Sequence, residues 1–188
     1  MMGRMDGSAG RLLVATPGLR DPSFRRAVVL VLEHSSGGAL GVVLDRPLDV
    51  EVAAVLPEWH PHVSAPGVLF GGGPVGRDAA LALAGLPVTT TPPPGVRPLT
   101  PGLGLVDLDA PPEVVAQGVR GLRVFVGYAG WSAGQLDDEI HAKGWIVVDA
   151  MPDDPFALDP GTLWRRVLRR QPDEVALLWT APDDPALN

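Results

Sequence analysis

Gly130-Trp131-Ser132-Ala133-Gly134 matches G-x-S-x-G, the strand-to-helix elbow that presents a serine nucleophile for acyl transfer. Such a serine needs an acid and then a histidine further along the chain. The only histidine downstream is His141, nine residues on and on the same expected helix. The preceding strand is expected to end near Tyr128, which leaves loop where the elbow needs a sharp turn. The same residues have a structural reading. Ser132-Ala133-Gly134-Gln135 is a capping box, in which the serine hydroxyl accepts from the Gln135 amide and the glutamine side chain reaches back to the serine amide. Trp131 and Leu136 occupy the two positions of a hydrophobic staple. Glu139 and Lys143 form an i,i+4 pair, and Gly144 closes the helix.

Gly71-Gly72-Gly73-Pro74-Val75-Gly76 matches G-x-G-x-x-G after a short apolar run. Dinucleotide binding would need a helix opening there and an acidic residue roughly 20 positions on. Around Val96 there are only proline, glycine and arginine, and the Gly-Lys-Ser/Thr ending of a P-loop is missing. Close backbone packing explains the glycines better. Glu33-His34 places an ionisable pair at a strand end beside a glycine turn, but adjacent strand residues point to opposite faces. His60-Pro61-His62 offers two imidazoles with no third ligand near in sequence. Asp137-Asp138-Glu139 suit the first turns of a helix and would repel a phosphate docking there. No catalytic residue, metal ligand set or cofactor is assigned from these motifs. With no cysteine, thiol nucleophiles and disulfides are out of the question, and the lack fits a cytoplasmic protein.

The elements that must position these residues are short. Arg11–Ala15, Ala27–Glu33 and Ala39–Leu44 read as strands, the last two as an antiparallel hairpin across Ser35-Ser36-Gly37-Gly38. Asp49 is expected to cap a short helix through Leu56. Val68–Phe70, Ala79–Ala84, Leu103–Leu108, Leu122–Tyr128 and Trp145–Val148 read as further strands, and Val175–Trp179 as a final one. The Pro/Thr-rich stretch Thr89–Pro101 reads as a surface loop. Pro112–Gln117 starts a short helix, and Asp159 is expected to cap a last helix with Pro160 at its first position. Strands outnumber helices and an early hairpin breaks strand–helix alternation, which predicts an α+β fold with a mixed sheet.

The chain has 188 residues, so one domain is expected: a tail over 1–10, a domain over 11–180 and a loose Pro/Asp-rich end over 181–188. Its net charge of −7 opposes nonspecific binding to nucleic acid or anionic lipid. No window reaches the roughly 18 apolar residues of a membrane span. Lys143 is the only lysine, and the arginine excess accompanies abundant Ala, Gly, Pro and Val, the signature of a GC-rich genome.

Leu12–Pro17, Asp21-Pro22-Ser23-Phe24, Glu33-His34, Gly38-Ala39-Leu40-Gly41, Leu44-Asp45-Arg46-Pro47, Gly72-Gly73-Pro74-Val75 and Gly127-Tyr128-Ala129-Gly130-Trp131 follow one another in order. They lead to Gly134-Gln135-Leu136 and Glu139. In this order the chain, from about Arg11 to about Arg170, resembles the YqgE/AlgH family of small bacterial proteins. Asp45 stands where that family commonly has asparagine, and Ser132 where glycine is common. The second departure weakens the nucleophile reading further.

The resemblance implies a single α+β domain with a mixed, strongly bent, partly barrel-like sheet flanked by helices, in the bacterial cytoplasm. It implies no established activity, although one branch is named as a transcriptional regulator. The resulting expectation is a non-enzymatic module binding an unidentified small molecule or peptide, with an indirect role in transcriptional regulation. Its cleft would be lined by Glu33, His34, Asp45, Arg46, Gly72, Gly73, Pro74, Tyr128, Trp131 and Gln135. The alternatives are a hydrolase with His34 as base, supported by Glu33, Asp45 or Arg46, and a regulator touching DNA through the arginine-bearing last helix. No DNA-reading motif supports the latter, so neither nucleic acid nor membrane is expected as a partner. The oligomeric state is left open.

Overall fold

Leu12–Ala15 and Val28–Leu32 are apolar at every position, which is what a strand covered on both faces requires. A computed structural model, describing residues 7–88 and 91–182, shows both faces covered. Leu12, Val14, Val28 and Leu30 point into a central core, while Leu13, Ala15, Val29 and Val31 belong to a second cluster on the other side. All are 1% exposed or less.

Ten strands among the described residues form one curled, half-barrel sheet. They are β1 (Arg11–Ala15), β2 (Val28–Ser35), β3 (Gly38–Val43), β4 (Pro47–Glu51), β5 (Val68–Gly71), β6 (Val75–Gly85), β7 (Val96–Thr100), β8 (Leu103–Val106), β9 (Gly121–Ser132) and β10 (Trp145–Asp149). The main path runs β10-β1-β2-β3-β9-β6-β8-β7, and β5 pairs with both β4 and β9. The β5–β9 pair is parallel and the others antiparallel, so the sheet is mixed, as expected. The short helices α1 (Val52–Val55), α2 (Pro112–Ala116), α3 (Gln135–His141), α4 (Leu163–Arg169) and α5 (Asp173–Leu177) cover its faces. No helix among the described residues is long and apolar enough to cross a membrane.

The sheet curls around the central core, which α4 plugs with Leu163, Trp164, Val167 and Leu168. The Trp164 indole donates to the Ala15 carbonyl at 2.8 Å, tying the plug to β1. Outside, Val52, Trp59 and Val115 cover the β6–β8 end, while Leu136 of α3 and Trp145 cover the β1–β3 end. Each fully buried Leu, Val or Phe contributes about 1.5–3 kcal/mol. Asp45, Asp154 and Arg123 are the charged residues enclosed among those described. Arg123, 1% exposed, faces the core under the Phe70 ring at 4.2 Å. It donates to the carbonyls of Pro155 (2.8 Å), Ala157 (3.3 Å) and Ala65 (2.6 Å), and burial draws its pKa down to about 10.

Strand β9 holds the two ends together. Its first half, Gly121–Val126, pairs with β6 and β5, and its last residues, Ala129–Ser132, pair with β3. Leu122, Val124 and Val126 pack outward, and so do Ala129 and Trp131. The alternation therefore slips by one residue between Val126 and Ala129. Gly127, at φ +74°, takes up the slip as a bulge does. There the glycine loop after β5 crosses β9 backbone to backbone. Gly72 donates to the Val126 carbonyl and accepts from Val43, both at 2.8 Å. A Cβ on Gly72 would lie 2.3 Å from the Gly127 carbonyl oxygen, and one on Gly73 would lie 2.1 Å from the Tyr128 carbonyl.

Several local expectations are corrected. β9 runs on to Ser132 rather than ending near Tyr128, because its last residues have a partner in β3. Val175–Trp179 is helical, in α5 and the turn after it, because Val175, Leu178 and Trp179 pack around the core near α4. Val96–Thr100 is strand rather than loop. Asp49 lies inside β4, and Glu51 precedes α1 without a capping side chain. Asp159 makes no cap bond: a 3-10 turn, Pro160–Thr162, comes before α4. The final six residues of the expected C-terminal tail and the first six of the N-terminal one lie outside the described residues. Between Gly7 and Gly10 the chain is tied to β2 by Ser8 N–H to His34 Nδ1 and Gly10 N–H to the Val31 carbonyl.

Gly72→Ala is expected to cost about 3 kcal/mol, the upper range for overpacking, since the obstacle is backbone. Gly134→Ala, at φ +75° but in open space, should cost only about 1 kcal/mol. Urea midpoints of the two variants check this. Equal losses would remove the crossing as the cause.

Candidate functional site

The glycine crossing leaves a cleft beside it. Because Gly71 and Gly73 carry no side chain, the loop lies flat, and a hollow of about 410 Å³ opens between it and β3–β4. Val43, Leu48 and Val126 give it an apolar lining, with Ser23, Arg46, Pro74 and Arg77 around them. Gly71 N–H donates to the Arg46 carbonyl at 2.7 Å, which fixes the arginine backbone against the loop.

The Arg46 guanidinium is held in place. Nη1 lies 3.0 Å from Asp45 Oδ2, and Nη2 donates to the Arg25 carbonyl. Its side chain is 38% exposed, whereas that of Asp45 is 4% exposed. Burial raises the Asp45 pKa from 3.8 to about 6, against the opposing pull of Arg46 and a long 3.5 Å bond from Val28 N–H. On the far side of this ion pair is a second hollow, lined by Arg25, Arg26, Arg165, Thr162 and Trp164. Arg26 lies 4.6 Å over the Trp164 ring and donates to the carbonyls of Ala181 and Pro182.

Of the residues expected to share one cleft, Arg46, Gly73 and Pro74 line the hollow together. Gly72, between two lining residues, is taken up by the crossing, and Asp45 is paired with Arg46. The Tyr128 ring packs over Gly76, next to the glycine loop. The remainder are elsewhere. His34 pairs with Ala39 in the strand register, and Ala39 pairs with Trp131, which puts them at the tip of the β2–β3 hairpin. Asp45 is at its base beside Val28, about 20 Å away by strand rise. Glu33 turns outward to Arg97 at 3.8 Å. His34 has a 7% exposed side chain. Its Nδ1 accepts from Ser8 N–H at 3.1 Å, and its Nε2 lies 3.6 Å from Asp137 Oδ2, so its contacts do not include Glu33, Asp45 or Arg46. Ser23, Leu48 and Arg77 were missed from the sequence. The only signal for Arg77 is its position just after the glycine loop.

The GYAGWSAGQ segment builds a separate, closed structure. Trp131 and Trp145 indoles both donate to Glu139 Oε2, at 2.9 and 2.8 Å, and Gln135 donates to Oε1 at 3.0 Å. Phe24 stacks on Trp131 at 6.1 Å and meets Trp145 edge-on at 5.4 Å. Glu139 is thus committed to indoles rather than paired with Lys143. The capping box is half formed. Gln135 Oε1 accepts from Ser132 N–H at 3.0 Å, but the serine hydroxyl also donates to that oxygen, at 3.2 Å, and makes no bond to the Gln135 amide. Gly134, in the left-handed region, is the residue before α3, so Ser132 stays in the strand. Lys143, at φ +59°, makes the closing turn before Gly144.

Two outcomes are expected. Glu139→Gln should cost about 1–2 kcal/mol, because two charge-assisted indole bonds become neutral ones; urea unfolding followed by tryptophan fluorescence measures it. For Asp45 the folded-state pKa is raised, so the proton is held more tightly in the folded chain. That contribution is complete below about pH 4 and is lost as pH rises through 6. Asp45→Asn should therefore gain about 2–3 kcal/mol over the wild type at pH 7.5 and almost nothing at pH 4, read from urea midpoints at the two pH values.

Comparison with known proteins places these features in a family. The family model described as AlgH-like matches residues 12–176. A UPF0301 protein of Streptomyces coelicolor is 50% identical over 190 residues, covering 100% of this chain and 98% of that protein. One from Thermobifida fusca is 52% identical over 193 residues, covering 95% of this chain and 94% of its own. Among solved structures, a protein from Corynebacterium diphtheriae has a TM-score of 0.86 at 35% identity, covering 96% of this chain and 95% of that one. The AlgH protein from Pseudomonas aeruginosa has a TM-score of 0.69 at 26% identity, over 97% and 98% of the two chains. The match over residues 12–176 and the identity to these relatives show that this chain belongs to the AlgH-like family.

Proposed function

We propose that this protein is a non-enzymatic binding module of the bacterial cytoplasm, and that the hollow between Arg46 and the Gly71–Pro74 loop is its ligand site. The observation that carries this reading is the combination of an apolar lining with two arginines beside a backbone wall that has no side chains. Small-molecule sites have this make-up: mostly apolar, with a few placed polar groups. A volume of about 410 Å³ is at the lower end of such sites, which favours a small molecule over a peptide. The groups that could do chemistry are engaged elsewhere. The Ser132 hydroxyl is bound to Gln135, and His34 is held between Ser8 and Asp137. Two arginines at the end of α4 are also in use, Arg170 on Asp154 at 2.6 Å and Arg169 over Trp179 at 4.9 Å, which argues against a DNA-reading face. Any part in transcriptional regulation would then be indirect, through the ligand.

Titrating 15N-labelled protein with a fragment set of neutral, cationic and anionic members tests the reading. Amide shifts should cluster at Ser23, Gly71, Gly73 and Arg77. Ser23→Trp, at an exposed position on the cleft lining, should abolish them with the melting temperature unchanged. Shifts confined to the His34–Trp131 end would overturn the assignment.

A further inference from the structure

Arg46 belongs to two environments. It lines the apolar hollow, and its guanidinium is bound to a buried carboxylate that borders the second hollow. Arg77, on the same hollow, has no ion pair among the described residues. No carboxylate lines the hollow. A ligand entering it meets two cations and an apolar floor of Val43, Leu48 and Val126.

We propose that the ligand is an amphipathic small anion, its head group between Arg46 and Arg77 and its apolar body on that floor, and that Asp45 is the internal counter-ion that sets its affinity. The proposal rests on the hollow being the binding site. With Asp45 ionised, the charge of Arg46 is already matched at 3.0 Å, and an incoming anion is repelled by the buried carboxylate. With Asp45 protonated, the guanidinium charge is released to the ligand while the Arg25 carbonyl still holds the group in place. An anion in the hollow and a proton on Asp45 therefore favour one another, and by linkage each strengthens the other to the same degree.

Asp45 shares its surroundings with arginines from three segments. Arg46 is on its own segment, Arg25 and Arg26 come from the turn before β2, and Arg165 comes from α4. All are arginines, and no histidine lines either hollow. Asp45 is thus the group at this site that changes charge near neutral pH, since burial raises its pKa to about 6.

The test uses 1-butanesulfonate, which combines an anionic head that does not titrate with a short apolar chain. 1-Butanol is the uncharged control. Affinity is followed by amide shifts and calorimetry between pH 5.5 and 8. Wild-type affinity should rise about tenfold as pH falls across this range. Asp45→Asn should bind at the wild-type low-pH level throughout, within twofold. Arg77→Gln should weaken binding at every pH and keep the slope, and 1-butanol should leave the cleft amides unmoved.

A flat wild-type profile, with Asp45→Asn no tighter than wild type at pH 8, overturns the role of Asp45 and leaves the hollow as a binding site. 1-Butanol binding as well as the sulfonate overturns the anion class alone. If neither probe moves the cleft amides at 50 mM, the binding site and the proposal fail together. Should Asp45→Asn not fold, the wild-type profile decides: a rise toward low pH that Arg77→Gln retains supports the proposal, and a flat profile overturns it.

Discussion

The structure depends on one backbone crossing. Where Gly72 and Gly73 pass over Gly127 and Tyr128, main chain meets main chain with no room for a Cβ on Gly72, Gly73 or Gly127. Three consequences share this contact. β9 can serve both ends of the sheet because its slip is absorbed at Gly127. β5 can lie parallel to β9, through Phe70 and Gly71, because the loop leaving it turns away at once. β3 is drawn in from the other side, since Val43 N–H donates to the Gly72 carbonyl. A ligand loop explains the glycines of this segment less well than the crossing does, because Gly72 spends both its amide and its carbonyl on the protein.

The cleft follows from the same constraint. A loop flattened against β9 cannot fill the space between itself and the β3–β4 turn, and the residues at that turn are Asp45 and Arg46. Burying an aspartate is costly even with an arginine beside it, because desolvation exceeds what the pair returns. The chain accepts that cost at Asp45, where an asparagine would keep the shape and the bond from Val28 without a charge that depends on pH.

Legibility in the sequence followed how locally each feature is determined. Strands such as Leu12–Ala15 and Val28–Leu32 could be read because burial on both faces writes itself as an unbroken apolar run. The end of β9 could not, because Ala129–Ser132 is strand only through its pairing with β3, a partner about ninety residues earlier in the chain. Val175–Trp179 carries β-branched and aromatic residues that suit a strand, yet packing beside α4 decides for helix. Ser132 shows the same limit at finer scale. Its spacing from Gln135 was right for a reciprocal cap, but the turn at Gly134 delayed the helix and left the serine in the sheet. At the site, the motif residues were found by type, and their grouping was not. His34 and Asp45 look alike as isolated ionisable residues but stand at opposite ends of one hairpin.

The arrangements of Arg123 and Arg46 show why the cleft charge differs from a structural one. Arg123 is enclosed with three carbonyls and an aromatic ring, no carboxylate and almost no solvent. Its role is to hold the Ala65 and Pro155–Ala157 segments to β9, and its surroundings leave no approach for anything else. Arg46 has two carbonyls, of Arg25 and Asp45, and one carboxylate, and more than a third of its side chain remains open. A structural arginine is best served by partners that do not change with conditions. Pairing Arg46 with a carboxylate whose burial moves its titration to near neutrality does the opposite: it makes the charge offered to the cleft conditional. In a chain of net charge −7, long-range attraction will not draw anions in, so selection for one must come from this local pair and the apolar floor beside it.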